Sequence, residues 1–223
     1  MPELLLVGAS GLAREVLSLL RTQSDPRTVM FVDDDSARWG TVIDGARIIG
    51  GLSEVTNHPS AEIVCCVGRG ADRAALVDRL GGLGVTSGRY ARVVHGSVDV
   101  PDSCRVGAGS ILLAGAVLTT DVHLGDHVVV MPHVTLTHGN RVGAFATLCA
   151  GVAVGGDVHV GSGAYLGMNA SVRERVRIGH GAVLGMGSVL LQDVPDHESW
   201  AGVPARRLAA AADGRRVPTS RAS

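Results

Sequence analysis

Arg141-Val142-Gly143-Ala144-Phe145-Ala146 runs straight into Thr147-Leu148-Cys149-Ala150-Gly151-Val152, and these two hexads decide the fold. The second residue of each is aliphatic and the sixth is small or Val. Followed outward, the same phase holds through seventeen uninterrupted hexads, from Val93 to Val194, with an aliphatic second residue in each, Val94 through Leu190. The sixth positions, among them Cys104, Ser110, Ala116, Val122, Val128 and Ala164, are almost all small or Val. No helix keeps such a register with Gly this frequent, because its apolar sites must recur near 3.6 residues. Six residues with two inward sites make a short strand and a turn, and three hexads close one coil of a triangular prism. A left-handed parallel β-helix is predicted, with residues three hexads apart stacked about 4.8 Å apart.

The first part of the chain reads differently. Leu4–Val7 is a short apolar strand, and Gly8-Ala9-Ser10-Gly11 turns into a helix carrying Val16, Leu17, Leu19 and Leu20. A second strand, Val29–Val32, ends in Asp33-Asp34-Asp35. A third, Glu62–Val67, ends at Gly68 and leads into a helical stretch with Leu76, Val77 and Leu80. Strand–helix alternation of this kind predicts a Rossmann-like α/β domain with a parallel sheet. Ligands of such sheets collect at the carboxyl ends of the strands. Three such ends carry informative residues: Ser10-Gly11, Asp33-Asp34 and Gly68. The glycine turn is an incomplete dinucleotide fingerprint, since Ser10 and Ala13 occupy its third and sixth places. A helix start still favours an anion, and Asp33 lies about where a ribose-binding acid would sit; the alternative for the Asp run is a solvated turn. The expected domains are 1–85 (α/β), 86–208 (β-helix) and a disordered Ala/Arg/Ser-rich tail, 209–223.

Composition narrows the partners. Net charge is −1, which offers no bulk attraction to nucleic acid or an anionic membrane. All twenty basic residues are Arg. Cys65, Cys66, Cys104 and Cys149 show no metal-ligand spacing and read as buried reduced thiols. No charged leader precedes Leu4 and no apolar run is long enough to span a bilayer, so a soluble, cytoplasmic protein is expected.

A packed β-helix has no cavity of its own, so chemistry belongs at turns that face a neighbour. Association around a threefold would bury flat faces and leave such clefts. His138, two residues past inward Leu136, is at a turn, with Gly156 one coil above and Thr120 one coil below. A His beside a Gly rung has open space and an approachable backbone N–H, as a general base and an oxyanion donor require. Asn140, the one amide in the small inward slot, is either a buried ladder residue or a brace for that turn. His123 and His127 read as exposed or interface residues, and His159 and His180 as surface turns.

The Gly-Ala-Ser-Gly turn, the Asp-Asp pair, the hexapeptide β-helix, the turn His and the closing Gly202-Val203-Pro204-Ala205-Arg206 together resemble the hexapeptide-repeat sugar acetyltransferases. That group includes sialic-acid O-acetyltransferases and N-acetyltransferases of UDP-amino-sugars such as bacillosamine and perosamine precursors. The resemblance covers residues 3–208. It implies acetyl transfer from acetyl-CoA to a nucleotide-linked sugar, N-acetylation favoured over O-acetylation, in a homotrimer with active sites between subunits and no metal. His138 matches the catalytic base. Ser10, Gly11, Leu12, Asp33, Asp34 and Gly68 match positions that hold the nucleotide portion of the substrate. Thr147, Gly156, Met168 and Met186 match positions along acetyl-CoA, with Arg206 or Arg207 near its phosphates. Three positions depart: Gly139 replaces an acid after the base, Thr147 replaces a second His, and Leu12 stands where many relatives carry His. Stacking puts Asp121 and Asp157 one coil below and above Gly139, and either is a candidate for the missing orienting carboxylate.

Two other readings compete. His133 and His138 have the five-residue spacing of the γ-carbonic-anhydrase metal site on the same β-helix, although His95 is off register for a third ligand. The chain could also be a non-catalytic trimeric binder of nucleotide sugars.

Overall fold

The computed structural model describes residues 2–209; the disorder expected for the tail from residue 210 onward lies outside the described residues. Strand β1 (Glu3–Val7) leads through a turn into helix α1 (Gly11–Thr22), then β2 (Thr28–Val32). A hairpin, β3 (Val42–Ile43) and β4 (Ala46–Gly50), precedes β5 (Glu62–Cys65) and helix α2 (Gly70–Gly82). The sheet order is β3-β4-β2-β1-β5, parallel except for the β3–β4 pair. Ser10 caps α1, its hydroxyl accepting from the Ala13 N–H and donating to the Cys66 carbonyl. The sequence reading lacked the hairpin. Its turn is Asp44-Gly45, with φ of 46° and 75°. These positive values suit a tight two-residue connection that matches strand twist.

From Val93 onward the β-helix appears as two-residue strands on three faces. The first face presents Arg105, His123, Arg141, His159 and Arg177 outward. The second presents Val93, Ile111, Val129, Thr147, Tyr165 and Val183, and the third Val117, Thr135, Ala153, Ser171 and Val189. The second and sixth hexad positions form one continuous core along the prism. One predicted rung fails. The hexad from Asp99 to Cys104 forms no strand, and Val100 is 40% exposed. Pro101 has no N–H for a rung, and only Cys104, the sixth residue of that hexad, joins the core. The chain closes with strands Ser199–Gly202 and Ala205–Arg207, which pair antiparallel around a cis Val203-Pro204 bond.

The three faces of the prism differ in what they present. The α/β sheet and α1 share an apolar cluster with Ile111, Leu113 and Val129 of the second face. Gly70 comes so close to the Phe145 carbonyl and Gly163 that a Cβ there would overlap them. The third face carries no charge on any of its five outward rungs, and the first alternates Arg and His. All four cysteines are buried and free, as the sequence suggested. Among the described residues no helix is long and apolar enough to cross a membrane.

Candidate active site

Two separate regions carry most of the predicted substrate-binding and catalytic residues. The first is a crevice of about 330 Å³ at the carboxyl ends of β1, β2 and β5. It is lined by Gly8, Asp33, Asp34 and Val67, with Asp72 and Arg79 from one side of α2. Two of its carboxylates, Asp33 and Asp34, are already held in place. Asp33 accepts from the Ala9 N–H at 2.7 Å and the Asp35 N–H at 2.9 Å. Asp34 accepts from the Leu52 N–H at 3.0 Å and from Arg79 at 2.7 Å. The Arg79 hydrogen bond, then that of Leu52, holds the Asp34 carboxyl below the usual range. The Asp run is therefore a turn braced by its own hydrogen bonds, with Asp34 and Asp35 still exposed.

Ser10, Gly11 and Leu12 lie outside the lining of this crevice. The Ser10 hydroxyl is spent on the cap, Gly11 opens the first turn of α1, and Leu12 packs against the apolar cluster shared by sheet and β-helix. Gly68 sits just past Val67, its carbonyl turned toward the β-helix, where it accepts from Thr147 at 2.8 Å. Trp39 escaped the sequence reading. Its indole N–H donates to the Asp33 carbonyl at 2.7 Å, and its ring lies against Gly51 at the crevice edge, half exposed. The one available signal was a rare aromatic four residues past the acid run.

The second region is the corner between the third and first faces. His138 lies there with its ring directly over the Gly156 backbone, as the stacking rule predicted; a Cβ on Gly156 would collide with it. The coils are tied locally: Asp157 N–H donates to the His138 carbonyl at 2.9 Å, and Gly139 N–H to the Thr120 carbonyl at 3.2 Å. The Gly156 N–H has no partner among the described residues. Gly139 has a φ of +72°, and the space a side chain would take there is filled by the Asp157 carboxylate. That carboxylate reaches 3.9 Å from His138 Nδ1, which is ion-pair reach but too long for a hydrogen bond. The two side chains are 63% and 52% exposed. Asn140 turns out to be both buried rung and brace: its amide donates to the Gly155 carbonyl at 2.7 Å, tying the His138 coil to the next.

Asp121 is placed for another partner. It binds Arg141 at 2.9 Å and His123 at 3.3 Å, and the Arg141 hydrogen bond holds its carboxyl below the usual range. Thr147, matched to an acetyl-CoA contact, is buried, and its hydroxyl is committed to Gly68 and Arg73. A β-helix rung covered by its own α/β domain has no room for a thioester. Met168 and Met186 stack on the corner between the second and third faces, 49% and 71% exposed. Arg207 pairs with Glu198 at 3.1 Å. His127, read as exposed or interfacial, is 4% exposed at the junction of the two domains, stacked on Phe145 with ring centroids 5.1 Å apart. His133 lies at the corner between the second and third faces over Gly115, so a strand of the third face separates it from His138 within one chain.

The fold joins an α/β domain to a hexapeptide-repeat β-helix. The comparisons agree. The PglD N-terminal domain family matches residues 3–80, and the bacterial transferase hexapeptide family (six repeats) matches residues 157–192. A search of curated protein sequences finds no match. The structure is similar to that of a histidine-to-asparagine variant of perosamine N-acetyltransferase from Caulobacter crescentus, solved with CoA and GDP-perosamine. The two are 26% identical with a TM-score of 0.86, over 94% of this chain and 98% of that one. The acetyltransferase domain of PglB from Neisseria gonorrhoeae is 26% identical, with a TM-score of 0.85 over 93% of this chain and 100% of that one. The same domain in complex with acetyl coenzyme A gives 27% identity and a TM-score of 0.83 over 92% and 98%. The resemblance to hexapeptide-repeat sugar acetyltransferases is thus shown across both domains.

Proposed function

We propose that this protein transfers an acetyl group from acetyl-CoA to the amine of a nucleotide-linked sugar. Residues 1–85 would grip the nucleotide and residues 86–208 would carry out the transfer. The observation that carries the catalytic assignment is the double stack of His138 on Gly156 and Asp157 on Gly139. The neutral sugar amine attacks the thioester carbonyl carbon while His138 accepts its proton. The C–S bond then breaks, and His138 returns the proton to the departing CoA thiolate. Asp157 favours the imidazolium formed in between, restoring from the next coil the acid lost at Gly139. The free Gly156 N–H is a donor for the thioester oxygen as it gains charge. Met168 and Met186 offer an exposed apolar track for the pantetheine arm, and Arg206 a cation near its end.

The site needs a second copy of the chain. The α/β domain rides on the second face, whereas His138 occupies the corner opposite that face, so a sugar held in the crevice reaches the His138 of a neighbour. The uncharged third face is the surface suited to packing three copies about an axis. Purified protein should release thiol from acetyl-CoA with at least one UDP-, GDP- or dTDP-linked amino sugar, and His138→Ala should not. Absence of release with every acceptor contradicts the reading.

A further inference from the structure

Arg73 is fully buried and, among the described residues, has no carboxylate beside it. Burial pulls its guanidinium down to about 10, so it stays charged at neutral pH. Every donor goes to a carbonyl or hydroxyl, and the acceptors fall into two groups. On the β-helix they are the carbonyls of His127 (2.8 Å), Phe145 (2.8 Å) and Ala146 (3.1 Å) and the Thr147 hydroxyl (3.2 Å). On the crevice wall they are the carbonyls of Val67 (2.5 Å) and Gly68 (3.2 Å). The Thr147 hydroxyl, accepting from Arg73, donates onward to the same Gly68 carbonyl at 2.8 Å. A charge taken out of water into a set of dipoles is costly unless every donor is used. Here the geometry uses them to join two specific loops.

The consequence lies on the other side of those peptide planes. In a trans peptide the C=O and the following N–H point in opposite directions. Drawing the Val67 and Gly68 carbonyls toward the β-helix therefore turns the N–H groups of Gly68 and Arg69 away from it. Neither amide has a partner among the described residues. The crevice lies on that side: Val67 lines it, and Asp72, Ala75, Leu76 and Arg79 face it from the side of α2 turned away from Arg73.

We propose that Arg73, with Thr147 as its relay, is a positioning residue that presents the Gly68 and Arg69 amides to the diphosphate of the bound sugar nucleotide. Arg73 touches no substrate; it acts by fixing two peptide planes, and it registers the crevice against the β-helix in the same set of bonds. This rests on the reading of the crevice as a nucleotide-sugar site. The replacement of a family His by Thr147 then has a local function, since a short hydroxyl fits under the guanidinium and relays it to Gly68.

Calorimetric titration of Thr147→Val and Arg73→Lys with UDP and GDP, beside uridine and guanosine, tests this. Thr147→Val keeps the shape and removes one donor to the Gly68 carbonyl, so it stands in if Arg73→Lys fails to fold. Diphosphate binding should weaken roughly three- to tenfold per variant, the cost of misplacing one or two hydrogen bonds, with nucleoside binding unchanged. Equal weakening of nucleoside and diphosphate, or no change in either, overturns the positioning role and leaves the nucleotide reading standing. Failure of wild-type protein to bind any of the four overturns both.

Discussion

The crevice of the α/β domain and the His138 corner differ in how finished they are. In the crevice Asp33 and Asp34 each have at least two donors from their own chain, and the wall is fixed from behind by a buried Arg. At the corner the two side chains that matter are more than half exposed and stand 3.9 Å apart. An exposed pair at that distance contributes little, on the order of 0.2–1 kcal/mol, because water screens it. The difference teaches where the protein relies on itself. On the proposed function one chain would supply the whole nucleotide site, while the acyl-transfer site would stay half built until another chain covered it and excluded water.

That contrast can be broken at several points. The largest effect should come from His138→Ala: turnover should fall about 10²–10⁴-fold, as expected for loss of a general base. Nucleotide binding and the melting temperature should stay as in wild type, measured by titration and calorimetry. Next, Ala153→Arg puts an unpaired charge at the centre of the third face. Burying it should weaken subunit association by roughly 3–5 kcal/mol. Sedimentation should then show monomers that bind nucleotide and fail to transfer acetyl. Asp157→Asn should lower turnover by more than the roughly fivefold an exposed ion pair is worth, since the neighbouring chain would exclude water from the pair. Asp121→Asn, whose carboxylate belongs to Arg141, should leave the rate unchanged.

The smallest effect concerns pH and the junction between the two regions. Burial, reinforced by the Arg73 charge and opposed by Asp126, lowers the His127 pKa below 6.5. Asp78 and Tyr90 line the neighbouring cleft, and the Tyr90 ring meets the His127 ring edge-on. The folded chain thus favours neutral His127, whereas the unfolded chain protonates it near 6.5. The stability from this residue is complete above that pH and is lost as pH falls below it, toward the lower folded value. His127 Nδ1 is buried without a partner, so His127→Phe gives up no hydrogen bond there. The variant should melt less steeply with acid than wild type between pH 7 and 5. An unchanged acid slope would remove His127 as its source.

Much of this was legible in the sequence because a solenoid turns sequence spacing into spatial distance. A residue three hexads on is one rung up, which located Gly156 over His138 and Asp157 over Gly139 without any structure. The same rule could not choose between Asp121 and Asp157; that depended on Arg141, whose side chain bends across to Asp121. The α/β domain was less readable, because its contacts do not follow a repeat. Its strands and helices were recoverable from apolar runs, yet the Asp44-Gly45 hairpin was overlooked although its turn residues are suited to one. Arg73 left no signal at all: an Arg in a helix reads as a solvated side chain, and only the approach of two domains makes it buried. Thr147 misled for the same reason, since a family position cannot say that a neighbouring loop already holds the hydroxyl.

The most direct test of the central claim, that each acyl-transfer site joins the crevice of one chain to the His138 of another, is subunit complementation. His138→Ala and Asp34→Ala chains are each expected to be inactive as pure oligomers. Co-refolded in equal amounts as closed trimers, they should recover about a quarter of wild-type sites, because some interfaces combine an intact crevice with an intact His. Activity that never rises above that of the separate variants would place both halves of the site in one chain and contradict the account.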